Sequence, residues 1–187
     1  KENILFGNKD DFSSLKLVDF GLSAQYADEE GIQSFTQQCG TLAFMSPEIV
    51  QKKFYAKEVD IWSCGIIMYI LLVGHHPLLR STDNADSFVE KLINPKWNLE
   101  IRIFQGKLSS QLWIELVFNG FISLAKNFFL KLVELDAQQR YTAANALSHP
   151  WITRRFKDEI PLSAYEKMRA FELQQTFIRV NENDVWS

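Results

Sequence analysis

The sequence predicts a mainly α fold of the α+β type, with a short β-hairpin region at its start. Three observations carry that expectation. Two short apolar runs, "NILF" and "LKLVDF", flank the turn-rich segment "GNKDDFSS", the pattern of two strands in a hairpin-like arrangement. Residues 22–47 then show no sustained period and include Gly31, Gly40 and Pro47, so they read as a long loop with a functional purpose. From Val59 onward the apolar residues recur at helical spacing.

The helices follow in order. "SPEIVQKK" begins a short one, with Ser46 as N-cap and Pro47 at the first helical position. Val59 to Val73 is apolar all round, which predicts a buried helix stopped by "GHHP". "NADSFVEKLIN" is amphipathic, with Phe88, Leu92 and Ile93 on one face, and "SLAKNFFLKLVEL" is a second amphipathic helix. "TAANALSHPW" starts at a threonine cap and stops before Pro150, and a last periodic stretch is "SAYEKMRAFELQQTFIRV". Trp62 and Trp151 read as core anchors, and His75 and His76 as loop residues, since adjacent side chains rarely point at one metal ion.

Composition narrows the function classes. With 187 residues, 47% hydrophobic and 23% charged, the chain has globular composition and length for a sizeable core. A net charge of −3 gives no electrostatic reason to expect nucleic acid or a membrane as partner. The 14-residue run Ile61–Gly74 is short for crossing a bilayer. The two cysteines, Cys39 and Cys64, read as free and mostly buried thiols. They suit a reducing compartment, and a cytoplasmic location is the expectation.

Five motifs stand in sequence: "KEN" at 1–3, "DFG" at 19–21, "GTLAFMSPE" at 40–48, "DIWSCG" at 60–65 and "LDAQQRYTAANALSHPWI" at 135–152. Together they resemble the C-terminal lobe of a serine/threonine protein kinase, and the last resembles the ending of calcium/calmodulin-dependent and calcium-dependent kinases. The resemblance covers roughly residues 1–153, with 154–187 as a regulatory-like C-terminal extension. It implies a kinase-like C-lobe with the N-lobe absent. It also implies ATP and Mg²⁺ as cofactors, because phosphoryl transfer needs a hard cation to neutralise phosphate charge. Asp19 is then the metal-binding aspartate, with Gly21 giving the backbone freedom to turn. Asn3 holds a second Mg²⁺, and Phe20 is the side chain whose position separates active from inactive states.

The resemblance makes residues 19–48 an activation segment and 38–48 the part that positions a protein substrate, including Cys39, Gly40 and Thr41. Glu48 is expected to pair with Arg140 bidentately, a structural role. Asp60, at the head of the buried helix, is a second structural residue, accepting hydrogen bonds from catalytic-loop amides or serving as an N-cap. Gln37 stands where many related kinases carry a phosphorylated threonine. Thr36 is the neighbouring candidate, unless no phosphate is needed.

The sequence contains no glycine-rich phosphate loop, strand lysine or "H-R-D" base. The resemblance places that base ahead of Lys1, so the chain reads as beginning mid-domain, with no measurable activity expected of these residues alone. The main expectation is therefore a fragment of an ATP-dependent serine/threonine kinase. The alternatives are a truncated pseudokinase or scaffold binding module without catalysis, and a non-kinase helical interaction domain. Residues 104–121 exceed the family's usual spacing and read either as a lineage-specific insertion or as retained intron sequence. In the extension, Met168, Phe171, Phe177 and Val180 offer apolar anchors for a helix, which reads first as one packing on its own lobe and second as a calmodulin target, since Glu166 and Glu172 dilute the basic character of such a target.

Overall fold

The computed structural model describes residues 3–8, 11–25, 34–97, 99 and 121–153. The expected insertion, apart from Phe121, and the expected C-terminal extension both lie outside the described residues.

The hairpin pairs β1 (Ile4–Asn8) with β2 (Asp11–Leu17), antiparallel. The register sets Ile4 against Leu17 and Phe6 against Leu15, then shifts between Phe6 and Asn8. Both strands reach further into the polar turn than the apolar runs suggest, and β2 ends at Leu17, before the "DFG" residues. Cross-strand bonding rather than hydrophobicity extends them. At Gly7 an added Cβ would lie 3.3 Å from the Ser14 carbonyl oxygen.

A 3₁₀ turn (Leu42–Phe44) and α1 (Pro47–Val50) follow. Ser46 caps α1 by backbone conformation, with no side-chain capping bond. Lys52 lies just past the end of α1 in the left-handed region (φ 56), a position where glycine is common. The longest helix, α2 (Glu58–Val73), ends at Gly74 in left-handed conformation. Next come α3 (Ala85–Ile93), α4 (Phe121–Leu132), α5 (Ala143–Ser148) and α6 (Pro150–Thr153). Capping boxes start α3 at Asn84 with Ser87, and α5 at Thr142 with Asn145.

The core lies where α2 crosses α4. Trp62, Ile66, Tyr69 and Ile70 of α2 meet Ala125, Phe128, Phe129, Leu132 and Val133, with Phe88 and Leu92 of α3 closing the side. Gly65 permits the crossing, since a Cβ there would stand 2.7 Å from Val133 Cγ1. Trp62 is fully buried, as a core anchor should be, and Trp151 is half-buried against Phe128 at 5.5 Å.

Three expectations need correction. α2 is not buried all round: Asp60 and Cys64 face solvent. The thiols are therefore not mostly buried, since Cys39 is half-buried and Cys64 exposed. His76 is more than a loop residue, being 2% exposed and fully hydrogen-bonded. Among the described residues, no helix is long and apolar enough to cross a membrane.

Candidate functional site

The hairpin brings positions 3 and 19 to one end of the structure. The Val18 amide donates to the Asn3 carbonyl at 2.9 Å, one step beyond the Ile4–Leu17 pair. Asp19 is in the left-handed region (φ 59), which aspartate tolerates better than most residues. Its Oδ1 accepts the Gly21 amide at 3.1 Å. The sequence reading assigned the turn's backbone freedom to Gly21, but the structure assigns the unusual angle to Asp19. Gly21 is needed for proximity: a Cβ there would lie 3.1 Å from Asp19 Oδ1. Among the described residues, no group of three or more His, Cys, Asp or Glu side chains is placed to hold a metal ion.

This end of the structure is bare. Phe20 is 67% exposed and Leu22 69%, and Leu5, Leu15, Leu17 and Val18 beside them are also exposed. Asp60, at the head of α2, is also exposed, and partial desolvation raises its carboxyl pKa above the usual range. Cys64 is raised likewise by desolvation and then by the Asp60 charge.

The segment from Phe35 to Ser46, by contrast, is anchored. Phe35 and Tyr55 exchange backbone bonds at 2.8 and 3.0 Å as an antiparallel bridge, with ring centroids 5.8 Å apart. The Tyr55 hydroxyl donates to the Gln37 carbonyl at 2.6 Å. Gln38 Nε2 donates to the Ile49 carbonyl at 2.8 Å, satisfying an end of the short helix α1. Further along, the Phe44 carbonyl accepts from Ser63 Oγ at 2.8 Å and the Ala43 carbonyl pairs with His76 Nε2 at 2.7 Å. His76 Nδ1 accepts the Leu78 and Leu79 amides, which fixes Nε2 as the protonated nitrogen. Burial holds the His76 pKa down to about 4. Between the anchors, Gly40 (φ 106) and Thr41 are exposed, while Cys39 is half-buried and Thr36 exposed.

Beneath this segment, Glu48 and Arg140 form a buried bidentate pair, Nη1 to Oε1 at 2.6 Å and Nη2 to Oε2 at 3.0 Å. Arg140 also donates to the carbonyls of Glu134 and Glu58 and lies over the Trp62 ring, 5.3 Å from its centroid. One side chain thereby ties α1, the head of α2 and the end of α4 together. Sequence reasoning missed Tyr55, Gln38 and His76. Only the "GHHP" stop offered a hint of any of them.

The comparisons with known proteins agree with this architecture. The protein kinase domain model matches residues 1–152. The chain is 35% identical over 154 residues to a calcium/calmodulin-dependent protein kinase type 1 of Caenorhabditis elegans, covering 81% of this chain and 38% of that protein. It is 32% identical over 155 residues to a calcium/calmodulin-dependent protein kinase type I of Schizosaccharomyces pombe, covering 82% and 41%. It is 33% identical over 180 residues to CDPK-related kinase 5 of Arabidopsis thaliana, covering 91% and 25%. The chain belongs to the protein kinase domain family, and within it is related to the calcium/calmodulin-dependent kinases. It spans about two-fifths or less of the length of these relatives.

The main expectation, a fragment of a kinase that transfers the ATP γ-phosphoryl group, is corrected by the structure. Among the described residues the sheet has two strands, and Asp19, Phe20 and Gly21 are exposed. A transferring site must hold the nucleotide in register and exclude water around it. These residues form an incomplete kinase fold, which favours the alternative, a pseudokinase-like module without catalysis.

Proposed function

We propose that this chain is a kinase-fold binding module, which presents a ledge to an extended protein segment and moves no phosphoryl group itself. The observation that carries this reading is the asymmetry of the site: residues 35–46 are anchored at both ends, while the Asp19 side is uncovered. A segment lying along residues 39–46 would meet the exposed Gly40 and Thr41. The apolar surface of Phe20 and Leu22 offers a further area for a partner to cover.

ATP and Mg²⁺ use is typical of the family. In this chain Asn3 and Asp19 are the residues that would hold Mg²⁺. Asp19 Oδ2 and the Asn3 amide oxygen are hard donors of the kind this ion takes, with Oδ1 engaged by Gly21. When bound, the ion neutralises phosphate charge. With two protein oxygens available, phosphates and water must complete the shell, so Mg²⁺ alone should bind weakly. Thr41 would lie beside a partner hydroxyl, and Asp60 would order a neighbouring loop. The division into 1–153 and 154–187 belongs to the same proposal. Calmodulin is a partner to test for the second part, since several relatives are named for it.

The test is fluorescence anisotropy with a labelled peptide library, a central serine flanked by random residues. Saturable binding that needs no nucleotide and weakens in Thr41→Trp is the expected result. Binding that appears only with Mg·ATP, or none at all, would overturn the reading.

A further inference from the structure

Among the described residues, the following contacts anchor the two ends of the strip 34–46, and they share one chemical kind. At its outer end stand the Phe35–Tyr55 bridge, the Tyr55 hydroxyl on the Gln37 carbonyl, and Gln38 on the Ile49 and Val50 carbonyls. At its inner end stand Ser63 on Phe44 and His76 on Ala43. Every one of these groups is uncharged. We infer that the strip takes its shape without a phosphate, with Tyr55 as the positioning residue of its outer end. The inference rests on the ledge reading above and deepens it.

Three observations argue for it. Gln37, whose carbonyl Tyr55 holds, cannot be phosphorylated, and that carbonyl is fixed by a phenol 18 residues away. A phosphate orders a loop by gaining cationic partners. Beside the exposed Thr36, order comes instead from the Phe35–Tyr55 bridge, whose two amides and carbonyls need no cation. The phenol is also suited to a permanent donor's role. Burial, then the neighbouring Cys39, push the Tyr55 pKa up, so the hydroxyl keeps its proton.

Hydrogen exchange read by mass spectrometry on the full, phosphatase-treated chain tests this without reference to any bound peptide. The Phe35 and Tyr55 amides, each bonded to the other's carbonyl, are expected to be protected in the unphosphorylated protein. Tyr55→Phe keeps the ring and deletes the hydroxyl. It should speed exchange across residues 35–39 about fivefold, the factor that one net hydrogen bond is worth. α2 should stay better protected than the strip, and the thermal midpoint should fall by no more than the few degrees that one hydrogen bond is worth, which separates local positioning from a general loss of fold. Tyr55→Ala, which also removes the ring contact, should open the strip further. The inference is overturned if residues 35–39 exchange at unfolded rates until Ser34 or Thr36 is phosphorylated, or if Tyr55→Phe leaves their exchange unchanged. Loss of peptide binding with protection intact would count against the ledge reading alone.

Discussion

Replacing Glu48 with glutamine should unfold this protein at markedly lower denaturant. The guanidinium of Arg140 is 3% exposed and spends two of its four hydrogen bonds on Glu48, at 2.6 and 3.0 Å. Glutamine keeps one acceptor but turns an N–H toward an N–H of Arg140, and it leaves a buried cation without its counter-charge. Breaking one partner of a buried pair costs about 3–5 kcal/mol. The surviving bonds to Glu134 and Glu58 put Glu48→Gln at the lower end, about 3 kcal/mol. With a urea slope of about 2 kcal/mol/M, the midpoint should fall by about 1.5 M. Glu48→Leu with Arg140→Met removes both charges. It should lose at least about 2 kcal/mol less than the two single variants summed, because no buried ion is left unpaired. Equilibrium urea unfolding followed by tryptophan fluorescence measures all five proteins: the parent, Glu48→Gln, and the two single variants and double variant of the cycle. A midpoint for Glu48→Gln within about 0.3 M of the parent, or strict additivity in the cycle, would refute this account of the pair.

Two further outcomes follow from the same structure. His76 has a folded pKa of about 4 against the usual 6.5, so the unfolded chain binds more protons between those values. Its contribution is complete above about pH 6.5 and is lost as pH falls toward 4, amounting to about 3 kcal/mol at 1.36 kcal/mol per pKa unit. The fall in stability over that window should be shallower in His76→Gln, and equal slopes would remove His76 as the source. Gly65→Ala should destabilise by a net of about 1–2 kcal/mol in thermal melts, because the added methyl at 2.7 Å from Val133 outweighs the gain in helix propensity. An unchanged or raised melting temperature would show that α2 and α4 can move apart freely.

Local chemistry made much of this fold legible. Thr142 announces a helix start because a short polar side chain before an apolar period has a specific job there. The union of Glu48 with Arg140 was legible only through resemblance, since 92 residues separate them and no periodicity links them. Tyr55 and Gln38 escaped notice because their work is done on backbone carbonyls, which any residue supplies. His76 escaped because burial is a tertiary property: "GHHP" reads as a polar stop until Ala43 is seen 2.7 Å away. Asp19 shows a different failure: the turn's unusual backbone angle falls on the acid itself and not on Gly21, where it was expected.

The most direct test of the central claim combines binding and transfer on one sample. The full chain is incubated with γ-labelled Mg·ATP and the serine peptide library at a concentration where anisotropy shows the peptide bound. The account predicts bound peptide with no label above that seen with Asp19→Ala. Label incorporated by the parent chain and abolished in Asp19→Ala would contradict it.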